Sequence, residues 1–445
     1  MNDRPLKTAL ARLRKANAAF ARKHPGDPAD RQPVHTVYGG AQLFQADSAR
    51  KLGDLALRAL REYAPDPAAL AEALGLPREL GERVYPRVVA KLEREPVEDY
   101  RIDFEDGYGN RPDAEEDEDA ARTAEEVAKG LAAGSLPPFL GIRIKPLSGE
   151  LFGRSLRTLD IFVTTLAART KARLPHHFVV TVPKVALPEH VATVAAMAGA
   201  LERKTRLPRG SLKLEIMVET PQSILGPDGT AALRGLVAAG GGRVTGAHFG
   251  TYDYTASCNI TAAHQSMTHP ACDFAKHVMQ VSLAATGVTL SDGATNIMPV
   301  APHRAAGGGA LTEGQRRDNR AAVHRAWKLH FDHVRHSLVQ AYYQGWDLHP
   351  AQLPTRYAAV YSFFLEGLDA ASRRLRSFTE KAAQATLVGD VFDDAATGQG
   401  LLNFFLRGLN CGAITPEEAA STGLTREEMQ GRSFLKILEG RKRGL

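Results

Sequence analysis

Several short apolar runs in this chain are followed at once by a charged or polar group. The run ending at Ile102 leads into Asp103-Phe104-Glu105-Asp106, and Arg143 and Lys145 flank Ile144. Pro183-Lys184 follows Val182, Glu219-Thr220-Pro221 follows Val218, and Gly250-Thr251-Tyr252-Asp253 follows Phe249. Carboxylates in such places suit a hard divalent cation. Mg2+ takes oxygen ligands in an octahedron and often only one or two of them are carboxylates, with water and substrate oxygens completing the set. Glu219 and Asp253 fit that role because neither belongs to a charge run: Glu219 follows Ile216-Met217-Val218, and Asp253 lies between Tyr252 and Tyr254. A carboxylate buried beside apolar residues needs a partner, and a metal supplies one. Mg2+ is the expected cofactor, with Mn2+ as the other hard cation.

Each residue also has an ordinary reading when taken singly. A carboxylate at a strand end commonly caps the next helix, Asp103-Glu105-Asp106 alone reads as a solvated acidic turn, and Lys184 reads equally well as a surface lysine. The fifteen histidines carry no pattern of their own. What joins the set is its recurrence at the same end of consecutive strands.

Those strands are read at 34–38, 100–104, 139–144, 178–182, 214–218, 245–249, 287–290 and 346–349, each a short run rich in β-branched or aromatic residues and bounded by turn residues. Amphipathic segments at 156–168, 188–202, 230–239 and 314–344 alternate with them, the last long enough for more than one helix. Eight strands with helical crossovers predict a closed (β/α)8 barrel, whose reactive groups sit at the C-terminal ends of the strands. No Gly-x-Gly-x-x-Gly follows the first strand, which lowers a dinucleotide-binding alternative.

A minimal barrel takes ~250 residues, so 445 leaves a surplus. The expected organisation is a barrel over 1–350, including a basic N-terminal helix and a helical insertion at 39–99, and a helical extension over 351–445. The N-terminal segment reads as a solvated helix rather than a targeting peptide, since it lacks a continuous apolar core. No stretch approaches the ~18 apolar residues of a spanning helix. The three cysteines have no C-x-x-C spacing, which suits a reducing cytoplasm. The net charge of +6 shows no Lys/Arg stripe with interleaved aromatics, so nucleic acid is not an expected partner. Small anionic metabolites are.

In order, Asp103-Phe104-Glu105-Asp106, Gly141-Ile142-Arg143, Val182-Pro183-Lys184 with Pro188-Glu189, Val218-Glu219-Thr220-Pro221, the Asp253 turn and Leu348-His349-Pro350 with Gln352 resemble the barrel of the malate synthase and citrate lyase beta-subunit superfamily. HpcH/HpaI-type aldolases are its more distant members. The resemblance implies Mg2+ on Glu219 and Asp253, and Arg143 against the oxygen of a reacting carbonyl. Asp103, Glu105 and Asp106 would then support metal-bound water or orient Arg143 and Lys145 around the substrate, and Lys184 would offset substrate charge. Asp393-Asp394-Ala395-Ala396-Thr397 resembles the malate synthase Asp-Ala-Ala-Thr segment, which makes Asp394 the general base toward an acyl-CoA thioester; a helix cap is the other reading of that residue. Citrate lyase-like proteins open the first strand with Arg-Ser and close it with Val-Pro-Gly to help hold substrate. Here the strand reads Val34-His35-Thr36-Val37-Tyr38-Gly39-Gly40, the mark of a divergent branch.

The implied activity is making or breaking a carbon–carbon bond through an enolate, acting on a 2-oxo acid, in an oligomer of identical chains. Two other readings stand beside it. One is a phosphotransferase or mutase using phosphoenolpyruvate, which would need a phosphate site at 307–309 with Arg304, Arg316 and Arg317. The other is a non-catalytic oligomeric barrel.

Overall fold

The computed structural model describes residues 4–26, 31–305, 310–380, 386–388, 391–393, 395–431 and 433–443. Eight strands form one parallel sheet: β1 (His35–Gly40), β2 (Asp99–Asp103), β3 (Phe139–Arg143), β4 (Phe178–Val182), β5 (Lys213–Val218), β6 (Val244–Phe249), β7 (Thr289–Ser291) and β8 (Gly345–Asp347). Each pairs with the next from β1 to β7, and β8 pairs with β1. The remaining seam, between β7 and β8, is closed by Asp292 N–H donating to the Gln344 carbonyl at 2.8 Å and Trp346 N–H donating to the Gly293 carbonyl at 3.1 Å. The expected (β/α)8 barrel is therefore the fold observed.

The strands alternate between two environments, as period two requires. Outward residues such as Ile102, Ile142, Val180 and Ile216 are fully or almost fully buried against the helices. Inward residues are largely polar, where barrel interiors more often carry branched apolar layers. Arg101 crosses the interior and donates to Thr181 Oγ1 at 3.0 Å and to Glu215 Oε2 at 2.5 Å, and it also pairs with Asp99. His248 joins Glu215 at 3.0 Å through Nε2 and accepts the Trp346 indole N–H at 3.0 Å through Nδ1, which fixes its tautomer. Gly141 makes the crossing possible: a Cβ there would lie 2.4 Å from the Val179 carbonyl oxygen and 3.2 Å from Arg101 Cδ.

Seventeen α-helices are described. The first, α1 (Arg4–Lys23), is exposed along nearly its whole length. Next, α2 (Ser48–Tyr63), α3 (Pro67–Leu74) and α4 (Arg78–Arg94) fill the insertion after β1. Local sequence sets their ends: Asp66 accepts the Ala69 N–H at 2.8 Å, Pro67 opens α3, and Gly75 ends it at φ +68. The acidic run becomes α5 (Asp113–Ala133), with Asp113, Glu115 and Glu116 in its first turn, where the helix dipole favours them. The crossovers continue with α6 (Phe152–Thr170), α7 (Pro188–Thr205), α8 (Pro221–Ile224), α9 (Leu233–Ala239), α10 (Thr251–Ser257) and α11 (Pro270–Leu283). One helix, α12 (Glu313–Val339), spans most of the segment long enough for several; a capping box between Thr312 and Gln315 starts it, and no Pro or Gly interrupts it after the first turn.

Beyond β8 lie α13 (Leu353–Glu380), a two-stranded antiparallel hairpin (Thr386–Val388 with Val391–Asp393) that the sequence reading did not include, and α14 (Ala395–Cys411), α15 (Pro416–Ala420), α16 (Arg426–Gln430) and α17 (Phe434–Arg443). The insertion is their support. α13 packs on α4, α12 packs on α3, and Arg87 of α4 donates to Glu418 at 2.6 Å and to the Ala413 carbonyl at 2.5 Å. All three cysteines are free, and no described helix is long and apolar enough to cross a membrane.

Candidate active site

The polar residues expected at the strand ends meet at the C-terminal mouth of the barrel, with one exception. Arg143 ends β3 with its side chain 5% exposed. Its Nε and Nη2 donate to the two oxygens of Asp103 on the neighbouring strand, at 2.7 and 2.5 Å. This two-point grip is the geometry in which a guanidinium holds a carboxylate most firmly. Asp103 is held in turn by the backbone N–H groups of Glu105 at 3.0 Å and Gly107 at 2.8 Å. The remaining nitrogen, Nη1, faces Glu105 Oε2 at 2.9 Å and Asp106 at 3.6 Å, and lies 3.7 Å from Met217 Sδ. Burial opposes the Arg143 charge, but Asp103 and Glu105 outweigh it and hold the guanidinium pKa well above its ordinary value. Arg143 is a fixed cation.

Lys184 links the next two positions. Its backbone N–H donates to Glu219 Oε1 at 2.6 Å, and its ammonium reaches Glu105 at 2.5 Å and Asp253 at 3.4 Å. The residue adopts φ +49, a strained setting for a side-chain-bearing residue, as functional sites often hold. Burial lowers the Lys184 pKa, yet Glu219 and Glu105 together raise it above the ordinary lysine value.

Glu219 is 1% exposed. Burial pushes its carboxyl up to about 8; Lys184 opposes the rise and Asp253 adds to it. The side chain enters beside Gly250, where a Cβ would stand 2.5 Å from both Glu219 Cβ and Oε2. Asp253, in the first turn of α10, is more open, its side chain 43% exposed. Burial also raises the pKa of Glu105, whose Oε2 lacks a hydrogen-bond partner despite facing Arg143. No group of three or more potential ligands stands ready for a metal among the described residues. Two carboxylates, one of them buried and short of compensating charge, match what Mg2+ asks of a protein when water and substrate supply the other oxygens.

The exception is Lys145. Its ammonium bonds to the Phe104 carbonyl at 2.7 Å and to Glu116 of α5 at 3.0 Å, so the structure turns it toward the helix layer rather than the other residues. Gln352 ties the loops together: it accepts from Leu348 N–H at 2.8 Å and donates to the Thr295 carbonyl at 3.0 Å. Asp394 and the segment 307–309 lie outside the described residues, and Arg304, Arg316 and Arg317 are exposed.

Sequence reasoning missed one part of the mouth. Tyr38, Met217, Ala294 and Trp346 form an apolar cluster separate from the main core. Tyr38 packs against Trp346 with ring centroids 4.5 Å apart and the planes tilted by 34°, and the Arg143 guanidinium lies 4.8 Å from the Tyr38 ring centre. The inward parity of Tyr38 and Trp346 on adjacent strands was the available signal. A cavity of about 750 Å3 lies elsewhere, lined by residues of α11, β7, α13 and α14 and by none of the mouth residues.

Residues 13–437 match the family described as "Domain of unknown function (DUF6986)". The chain belongs to that family. No curated protein matches its sequence. Among solved structures, this DUF6986 member is similar to a citrate lyase from Burkholderia xenovorans LB400, with TM-score 0.57 and 18% identity over 89% of this chain and 97% of that one. Haloferax volcanii malate synthase in its lead(II) complex aligns with TM-score 0.46 and 14% identity, over 93% of this chain and 98% of that one. An HpcH/HpaI aldolase/citrate lyase family protein from Burkholderia cenocepacia J2315 aligns with TM-score 0.39 and 13% identity, over 80% and 99%. The first of these likenesses establishes a shared fold.

Proposed function

We propose that the protein is a Mg2+-dependent lyase or synthase that makes or breaks a carbon–carbon bond through an enolate, acting on a 2-oxo acid by an aldol or Claisen route, with an acyl-CoA thioester as candidate second substrate. The observation that carries this reading is the placement of Arg143. It is clamped by Asp103, with one nitrogen turned to the carboxylates of the mouth, as a donor awaiting negative charge on a substrate oxygen must be. Glu219 and Asp253 are the residues that would hold Mg2+, which when bound polarises a carbonyl as a Lewis acid. Lys184 offsets charge among Glu105, Asp253 and substrate. Asp103 acts through Arg143 as a positioning group. Asp394 is the candidate general base, a role worth ~10²–10⁴-fold in rate. The fold shared with a citrate lyase supports the same class of chemistry.

The test is a panel of 2-oxo acids incubated with Mg2+, with and without acyl-CoA thioesters, scored by mass spectrometry for new or cleaved products. A product formed by the wild type and lost in Arg143→Met supports the reading; absence of any product across the panel overturns it.

A further inference from the structure

We infer that the substrate of this mouth is a 2-oxo acid with a single carboxylate and an uncharged tail, seated against Tyr38 and Trp346, rather than a dicarboxylic 2-oxo acid. This rests on the reading of the mouth as a Mg2+-dependent 2-oxo acid site. Two independent observations carry it. The first is charge. Asp103, Glu105, Asp106, Glu219 and Asp253 converge here; Arg143 and Lys184 are the cations paired with four of them, and Glu219 accepts from the Lys184 backbone N–H. Two cations against five carboxylates leave the mouth negative, and a divalent cation gives it no net positive charge. Both side-chain cations are already in ion pairs. The carboxylate next to the keto group can share the divalent cation, but a second carboxylate finds no uncommitted positive group among these residues.

The second observation is what lies beside Arg143. The guanidinium rests on Tyr38 at 4.8 Å and near Met217 Sδ at 3.7 Å, and Tyr38 packs at a tilt against Trp346. A substrate whose keto oxygen faces Arg143 therefore has its tail beside a largely apolar, aromatic wall. Methyl and methylene groups gain there by burial, whereas a carboxylate would give up its hydration with no cation to meet it, the one unpartnered donor of the wall being the buried Tyr38 hydroxyl. Tyr38 and Trp346 are thus the specificity-determining residues.

The experiment is calorimetric titration of the full chain, with Mg2+ present, using the equal-length pair 2-oxopentanoate and 2-oxoglutarate. 2-Oxopentanoate is expected to bind more tightly by about tenfold or more, the scale on which an apolar pocket discriminates. Tyr38→Arg, which places a cation at the wall, is expected to narrow or reverse that preference, and Trp346→Phe, a milder change, to keep it. Equal or tighter binding of 2-oxoglutarate by the wild type overturns this inference and leaves the proposed function standing. Binding of neither acid overturns both.

Discussion

The Lys184 backbone N–H and the Glu219 carboxylate meet at 2.6 Å across the ends of two neighbouring strands, with Lys184 at φ +49. The contact sets the direction in which the buried carboxylate faces, while the ammonium of the same lysine reaches Asp253. One residue therefore ties together both proposed metal ligands, and its backbone contributes as much as its charge.

Glu219→Gln should abolish Mg2+ binding, and Asp253→Asn should weaken it at least tenfold, because a site with two carboxylates has no spare ligand. Calorimetry with Mg2+ alone checks this. Unchanged affinity in both variants removes the metal assignment.

The raised pKa of Glu219 fixes the sign of two pH effects. A carboxyl pushed from 4.5 to about 8 binds its proton more tightly in the folded chain than in the unfolded one. Its contribution to stability of the metal-free protein therefore falls as pH rises through that window. Mg2+ must displace the same proton, so its affinity should rise by about tenfold per pH unit below pH 8 and level off above. Titrations from pH 6 to 9 would show this slope; a flat profile would contradict it.

Asp103→Ala leaves Arg143 buried without its two-point partner. The expected loss is about 3 kcal/mol of folding stability, the low end for breaking a buried ion pair, because Glu105 still faces the guanidinium at 2.9 Å. Asp103→Asn keeps the shape and one acceptor, and should lose less stability while lowering kcat more than it changes KM. Denaturant unfolding and steady-state kinetics separate the two.

Gly250→Ala tests the close approach of β6 to Glu219. The added methyl would sit 2.5 Å from Glu219 Cβ, so strain of ~1–3 kcal/mol is expected together with weaker Mg2+ binding. Unaltered melting and unaltered Mg2+ affinity would show that Glu219 has room to move.

The strands were legible because their outward faces carry Ile102, Ile142, Val180 and Ile216, which pack on helices whatever the interior does. The seventh begins later than its apolar residues suggest, since Gly287 takes φ +82, outside strand conformation. The carboxylates, Arg143 and Lys184 were legible from their position after each run. Lys145 was misleading: β3 ends at Arg143, and the chain then turns the lysine to Phe104 and Glu116. Tyr38 and Trp346 were hidden because an aromatic residue on a strand reads as core, and only the pairing of β8 with β1 brings the two rings together. The polar crossing of Arg101, Glu215 and His248 was equally hidden, since it joins strands far apart in sequence.

The central claim is that Arg143 stabilises negative charge on the keto oxygen of a 2-oxo acid. It is tested most directly by proton NMR of exchange at the carbon next to the keto group of 2-oxopentanoate in D2O, with Mg2+. The wild type should catalyse Mg2+-dependent exchange, and Arg143→Met should slow it by ~10²-fold or more while remaining folded. Exchange at the wild-type rate in Arg143→Met would contradict the claim.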